Sequence, residues 1–305
     1  MLQNLVAFWR LSRPLFLLGG AVLYALGAGI ARAQGCEVQP GPYALGQLFV
    51  TGVQLMTHYL NEYWDVETDR LNESRTMFSG GSGILVAGLL QRRTAIVAAV
   101  ICLAIGAAAA GLLVVKQNAG PLTETFMLLI FLGAYFYSSP PLRLAGSGVG
   151  ELSASLVVAG LVPAFALVNS GGRVSLEFML IVAPLVLLHY AMVLAFEFPD
   201  ESCDRQAGKR TLLVRIGRHR AAIVHNSCLL SGALMAPLTT MLFASHWAAL
   251  LIGVVVVPLA AWQMFAVAMF VRGRLVNLAR MTFVALAIFA VSASLQAAAL
   301  WSSSI

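Results

Sequence analysis

Nine apolar stretches recur along this chain, at about 15–33, 43–63, 94–115, 121–138, 149–169, 176–198, 221–243, 247–271 and 279–301, each long enough to cross the hydrocarbon core of a bilayer as a helix. Away from water every backbone N–H and C=O must find its partner inside the protein. Stretches of this length and composition therefore fold as helices. The chain is 60% hydrophobic and only 10% charged, too little polar surface for a water-soluble domain of 305 residues. The expectation is an all-α, multi-pass membrane protein: a bundle of about nine transmembrane helices forming a single domain over 1–305. No linker or low-complexity segment divides it.

The formal net charge of +6 could point to nucleic acid, but the basic residues sort by loop. With the N-terminus on the cytoplasmic side, all but Arg32, Lys116 and Arg173 of the 19 Lys and Arg residues fall in inward segments. This is the positive-inside pattern, and it fits an odd number of spans. The charge reports topology and contact with anionic membrane lipids, and nucleic acid is excluded as the partner. The four cysteines, Cys36, Cys102, Cys203 and Cys228, have no paired spacing, so neither a disulfide framework nor a zinc site is expected. The first apolar stretch is long enough to be a span and reads as one, not as a cleaved signal. The two long inward loops are expected at about 64–93 and 199–220.

Two acidic clusters fall at inward ends of spans. In NEYWDVETDR, Asn61, Asp65 and Asp69 stand at i, i+4 and i+8, which on a helix aligns them along one face over about 12 Å. In EFPDESCD, Asp200 and Asp204 repeat the i, i+4 spacing. Topology, not sequence proximity, brings the clusters to one side, after spans two and six. Aligned carboxylates cannot neutralise one another. They can share Mg²⁺, which takes one or two carboxylates and fills its remaining positions with phosphate oxygens and water. One such cluster alone would read as a solvated helix end; two at one mouth of a membrane bundle favour a functional site.

Cations accompany the acids. Arg70 follows the first cluster, Arg75 precedes the Gly- and Ser-rich run FSGGSG, and Lys209 and Arg210 follow the second cluster. Metal-binding acids mixed with Arg and Lys suit a diphosphate. FSGGSG matches no nucleotide-binding fingerprint; its backbone N–H groups can meet a phosphate, or it can be a simple connector. YSSPPLR closes span four on the inward side and brings Tyr137 and Arg143 to the mouth, as substrate contacts or as interfacial residues. His58 and His189 lie within spans and read as hydrogen-bonded packing residues.

Together these motifs resemble the UbiA superfamily of intramembrane aromatic prenyltransferases, whose pattern is NxxxDxxxD after the second span and a DxxxD-type motif after the sixth, in a nine-helix bundle. The likeness covers almost the full length. NEYWDVETD, RTMFSGGSG, YSSPPLRL with the following GVGE (148–151), and PDESCDRQAGKRTL look most like the branch containing 1,4-dihydroxy-2-naphthoate polyprenyltransferases of menaquinone biosynthesis. Many members of that branch carry an Asn shortly before the second Asp pair, where this chain has Phe196 in FEFPD.

The resemblance implies that Asp65, Asp69, Asp200 and Asp204, with Asn61, hold Mg²⁺ on the diphosphate of a polyprenyl donor. It implies further that Lys209, Arg210 and Arg143 stabilise the leaving diphosphate. Arg70, Arg75 and Tyr137 are expected as further substrate contacts from their place beside the motifs. An electron-rich aromatic acceptor would then attack the allylic cation, and the prenyl tail would lie along the helices beside membrane lipids. A naphthoate acceptor would also lose its carboxyl group. The setting implied is the cell (inner) membrane, with the site facing the cytoplasm. Other acceptors of the superfamily's kind are 4-hydroxybenzoate, homogentisate or a lipid alcohol. From a different class, an ion-coupled membrane transporter would also place carboxylates at a membrane edge, but the spans offer almost no charged residue at mid-depth to relay an ion. A diphosphate hydrolase would share the metal site and use water instead of a ring; one with a histidine nucleophile finds only His219 in the inward loops.

Overall fold

The computed structural model describes residues 2–117 and 119–302 and, among them, ten helices and no strand. These are α1 (Leu2–Leu11), α2 (Pro14–Ala33), α3 (Pro40–Arg70), α4 (Arg92–Gln117) and α5 (Pro121–Ser138). They continue with α6 (Gly150–Asn169), α7 (Leu176–Gln206), α8 (Leu212–Phe243), α9 (His246–Val271) and α10 (Leu278–Ser302). Local chemistry sets many of the ends. Proline opens α2, α3 and α5, where its missing N–H costs nothing. The Ser175 and Thr211 side chains cap α7 and α8 by accepting from Phe178 N–H and Val214 N–H.

Each of the nine expected stretches is helical. Seven helices, α2, α4 and α6 to α10, are long and apolar enough to cross a membrane. The other two are more polar. α3 carries Gln47, Thr51, Gln54, Thr57 and His58 before its acidic end, and α5 opens with Thr123, Glu124 and Thr125.

Three local expectations are corrected. The expected loop 64–93 begins only at 71, because α3 runs on through Asp65 and Asp69 to Arg70. The expected loop 199–220 shrinks to 207–211, because α7 continues past Pro199 to Gln206 and α8 starts at Leu212. The acidic residues thus sit on the last turns of two helices and not in loops. The apolar-to-polar switch in these segments marks where a helix leaves the apolar layer, and the helix itself continues. Within α8 the break comes later, at Gly217 (φ 78°, ψ 161°), a conformation open to glycine. The short α1 was not expected at all. It turns Leu5, Val6 and Trp9 outward and stacks Phe8 on Tyr59 of α3, the amphipathic habit of a helix lying at an interface.

Helices in lipid associate by close packing more than by hydrophobic burial, so small residues mark their contacts. A Cβ on Gly52 of α3 would come 2.9 Å from the Cys102 carbonyl of α4, and one on Gly27 of α2 would collide with the Pro163 carbonyl of α6. Outward faces are apolar, as Val97, Val100 and Ile101 of α4 and Leu250 and Val254 of α9 illustrate. α6 widens to a π-helical turn over Leu156–Leu161, just ahead of Pro163, whose missing N–H already interrupts the regular ladder. The arrangement brings the C-terminal ends of α3, α5 and α7 to one end of the bundle. There Asn72, just past α3, donates to Asp200 of α7 at 2.7 Å.

Candidate active site

A cavity of about 650 Å³ opens at this end and runs down between the helices. Asn61, Asp65, Asp69, Asp200, Asp204 and Lys209 line its polar end, with Val50, Val53, Ile130, Phe289 and Ala293 among its apolar walls. Val50 precedes Asp65 by about four helical turns on the same helix, so the cavity extends about 20 Å from its charged mouth. A long, water-shy chain with a charged head matches that shape.

The mouth is built by side chains that hold each other in register. Asn61 donates to Asp65 at 2.8 Å and to Ser138 at the end of α5 at 3.2 Å. Asp200 accepts from Asn72 and, at 3.0 Å, from the Gly80 N–H. Lys209 reaches back to Asp65 at 3.0 Å and Asp204 at 3.7 Å. The turn after α7 explains that reach. Gly208 adopts φ 74°, the Lys209 N–H bonds the Asp204 carbonyl at 2.9 Å and the Gly208 N–H bonds the Arg205 carbonyl at 3.2 Å. This is a Schellman cap, and the glycine that closes it folds the next side chain back over the helix end.

Loop 71–91 roofs the mouth. Arg75 ties it together by donating to the carbonyls of Gly80 at 2.7 Å and Asp69 at 2.8 Å. Buried Glu62 accepts from the Ser82 N–H at 2.6 Å and the Ser82 hydroxyl at 2.7 Å. Gly80 and Gly81 have φ of 76° and 67°, and a Cβ on Gly81 would strike the Asp69 carboxylate. The loop backbone therefore lies directly on the acidic cluster, a contact that only glycine allows.

Four carboxylates share one ammonium here, so the mouth carries excess negative charge. Burial, with Asp65 and Glu62 close by, pushes the Asp69 carboxyl up to about 7. Burial by itself would lower the Lys209 ammonium, but Asp65 and Asp204 outweigh it and hold Lys209 above the ordinary lysine value. Among the described residues no three acidic, His or Cys side chains converge tightly enough to cage a cation unaided. Such a set suits a hard cation that takes one or two carboxylates per ion and completes its shell from a ligand's oxygens.

The other expected contacts divide. Tyr137 lines the cavity. Arg75 serves the roof loop. Arg70 is exposed and paired with Glu67 at 2.9 Å, Arg143 lies 4.7 Å over the Trp64 ring, and exposed Arg210 is absent from the cavity wall. A helix turns each residue by 100°, so following Asp69 on α3 does not place Arg70 on its face, while Arg143 and Arg210 stand in connecting segments. His58 and His189 line the cavity and are hydrogen-bonded, to the Ser12 carbonyl and the Ser155 hydroxyl, each at 3.0 Å. Sequence reasoning missed Arg13, which lines the cavity in a left-handed conformation (φ 51°), donates to the Phe78 carbonyl at 3.1 Å and covers the Phe16 ring. It also missed the cluster in which Phe78 stacks on Phe196 and Phe16 meets both edge-on. Nothing in the spacing of these residues signals that they meet.

The family model for the UbiA prenyltransferase family matches residues 21–288. A search of curated proteins gives no match. Among solved structures, a UbiA homologue from Archaeoglobus fulgidus bound to DMAPP and Mg²⁺ is similar with a TM-score of 0.65 at 20% identity, over 94% of this chain and 97% of that one. The same homologue bound to GPP and Mg²⁺ gives 0.65 at 19% identity, over 95% and 99%. The apo structure of a UbiA homologue from Aeropyrum pernix K1 gives 0.60 at 18% identity, over 89% and 95%. At these identities the structures speak for the fold, and the family match speaks for the chemistry: the chain belongs to the UbiA prenyltransferase family and is a prenyltransferase.

Proposed function

We propose that the protein transfers a polyprenyl group from an isoprenyl diphosphate to an aromatic acceptor, with Mg²⁺, and that the acceptor is 1,4-dihydroxy-2-naphthoate, as in menaquinone biosynthesis. The observation that carries the reading is the cavity itself: four aspartates and a lysine at one end, an apolar channel below them. Mg²⁺ and an allylic diphosphate are what the A. fulgidus homologue binds, and the donor set here fits them.

Asp65 and Asp69 from one helix and Asp200 and Asp204 from the other would hold the metal, together with Asn61, which donates to Asp65. When bound, Mg²⁺ neutralises the diphosphate and makes it a better leaving group. Lys209 sits among the same acids as a fixed positive charge for the diphosphate oxygens that the metal leaves free. The Gly80–Gly81 backbone and Arg75 close the roof and keep water away. Tyr137, Phe16, Phe78 and Phe196 surround the place where the allylic carbon and the ring meet. Their π faces suit a short-lived cation. The apolar walls take the prenyl tail.

In this reading residues 1–305 act as one membrane domain in the cell (inner) membrane, with α3 and α5 crossing beside the seven more apolar helices. The N-terminus and the cavity mouth face the cytoplasm, where Lys and Arg are concentrated. Phe196, standing where the naphthoate branch often has Asn, makes the acceptor end of the cavity more apolar. Membranes containing the protein are to be offered radiolabelled polyprenyl diphosphate with a panel of acceptors. Labelled prenyl-naphthoquinol is the expected product. Labelling of 4-hydroxybenzoate, homogentisate or a lipid alcohol instead would overturn the acceptor assignment.

A further inference from the structure

Two glutamates beside the cavity are not used by the diphosphate machinery. Glu197 lies on α7 and lines the cavity, three residues before Asp200 and so about one helical turn (~4.5 Å) below the acidic mouth. Its carboxyl lies beside that of Glu151, the first acidic residue of α6, which is only 2% exposed. The start of α8 fixes both: the Leu212 N–H donates to Glu151 Oε1 at 2.7 Å and the Leu213 N–H to Glu197 Oε2 at 3.2 Å. Glu151 Oε2 is buried and has no hydrogen-bond partner among the described residues. The nearby cations are engaged elsewhere, Lys209 by Asp65 and Asp204, and Arg13 by the Phe78 carbonyl and the Phe16 ring. The titratable groups around Glu197 are Tyr137 from α5, Tyr190 and Asp204 from α7 and, through Tyr137, Asp65 from α3.

We propose that Glu197 is the general base of the transfer, taking the proton from a ring hydroxyl of the acceptor. The inference rests on the reading of an aromatic acceptor given above and narrows that acceptor to one bearing a hydroxyl on the attacking ring. The hydroxyl proton passes to the Glu197 carboxylate. The oxygen's electrons move into the ring, and a ring carbon forms the new C–C bond to the allylic carbon. The allylic C–O bond breaks with both electrons leaving on the diphosphate. The ring carbon then loses its proton to the diphosphate, or its carboxyl as CO₂, and Glu197 returns its proton to the oxygen as aromaticity is restored. The location suits this work. The base stands one turn below the diphosphate site, next to Phe196, at the depth where the allylic carbon must lie. The two cavity histidines, by contrast, already hold hydrogen-bond partners.

Turnover of wild-type, Glu197→Gln and Glu197→Asp protein is to be compared with a hydroxylated aromatic acceptor, and donor KM measured alongside. Glu197→Gln keeps the size of the side chain and an oxygen for the Leu213 N–H. Its kcat is expected to fall about 10²-fold with donor KM within twofold of wild type, Glu197→Asp recovering part of the loss. An acceptor with a more acidic hydroxyl narrows the gap between Glu197→Gln and wild type. Glu197→Gln turning over within threefold of wild type overturns the proposal, as does an equal loss with every acceptor whatever its acidity. If Glu197→Gln does not insert, the same two readouts on Glu197→Asp decide. Wild-type protein that prenylates no aromatic ring removes the aromatic-acceptor reading itself, whereas active wild type with an unimpaired Glu197→Gln removes only this inference.

Discussion

The side chain on which the mouth turns is Lys209. It is the one ammonium among four carboxylates, held between Asp65 of α3 and Asp204 of α7. Replacing it by alanine removes the charge proposed to meet the diphosphate and leaves its two aspartates to repel each other. Lys209→Ala is expected to raise donor KM about tenfold, equivalent to ~1.4 kcal/mol of binding, and to lower kcat as well; steady-state kinetics at saturating Mg²⁺ check this. An unchanged donor KM would contradict the role given to Lys209. At this scale the sequence was partly legible. The i, i+4 spacing of Asp65 and Asp69 and of Asp200 and Asp204 announces one face of a helix, and QAGK announces the turn that returns Lys209 to it. Arg70 follows Asp69 but turns to Glu67 on the helix, while Arg143 and Arg210 stand in connecting segments and face Trp64 and solvent. Arg13 and Phe16 were hidden for the opposite reason: they come from the start of the chain and meet Phe78 and Phe196 only through the fold.

At the level of elements, the site depends on two backbone turns as much as on its acids. Gly208 closes α7 at φ 74°, and Gly81 rests on Asp69 at φ 67°. Alanine at either position costs roughly 1 kcal/mol of left-handed strain, and at Gly81 its Cβ would also collide with the Asp69 carboxylate. Gly81→Ala is expected to lose more than tenfold in turnover while its thermal midpoint in detergent moves by only a few degrees. Gly208→Ala should lose less, since it shifts Lys209 without touching an aspartate. Full activity in Gly81→Ala would show that turnover does not depend on the roof loop's contact with the Asp69 carboxylate. Helix existence was readable from the apolar stretches, and helix ends were not. α3 and α7 run on past the point where their sequences turn polar, and the satellite helix α1 has too few apolar residues in a row to register as a span.

For the molecule as a whole, the polar ends of α3 and α7 must lie on one side of the membrane, since Asn72 and Asp200 touch. Cys36, just before α3, lies at the other end of that helix from Ser74, which follows it. An impermeant maleimide added to intact cells is expected to label Cys36 and spare a Ser74→Cys variant, with the pattern reversed in inverted membranes. Labelling of Ser74→Cys from outside would invert the proposed topology. The central claim is that this one cavity binds a magnesium diphosphate at its acidic mouth and transfers the attached chain. Its most direct test is the yield of labelled prenyl product from radiolabelled polyprenyl diphosphate and an aromatic acceptor, in membranes carrying wild-type, Asp65→Ala or Asp200→Ala protein, with Mg²⁺ or with EDTA. The account predicts product from wild type with Mg²⁺ alone, and at least a 10²-fold drop in either variant despite normal membrane insertion. Product that persists in EDTA, or near-normal rates in either variant, would contradict it.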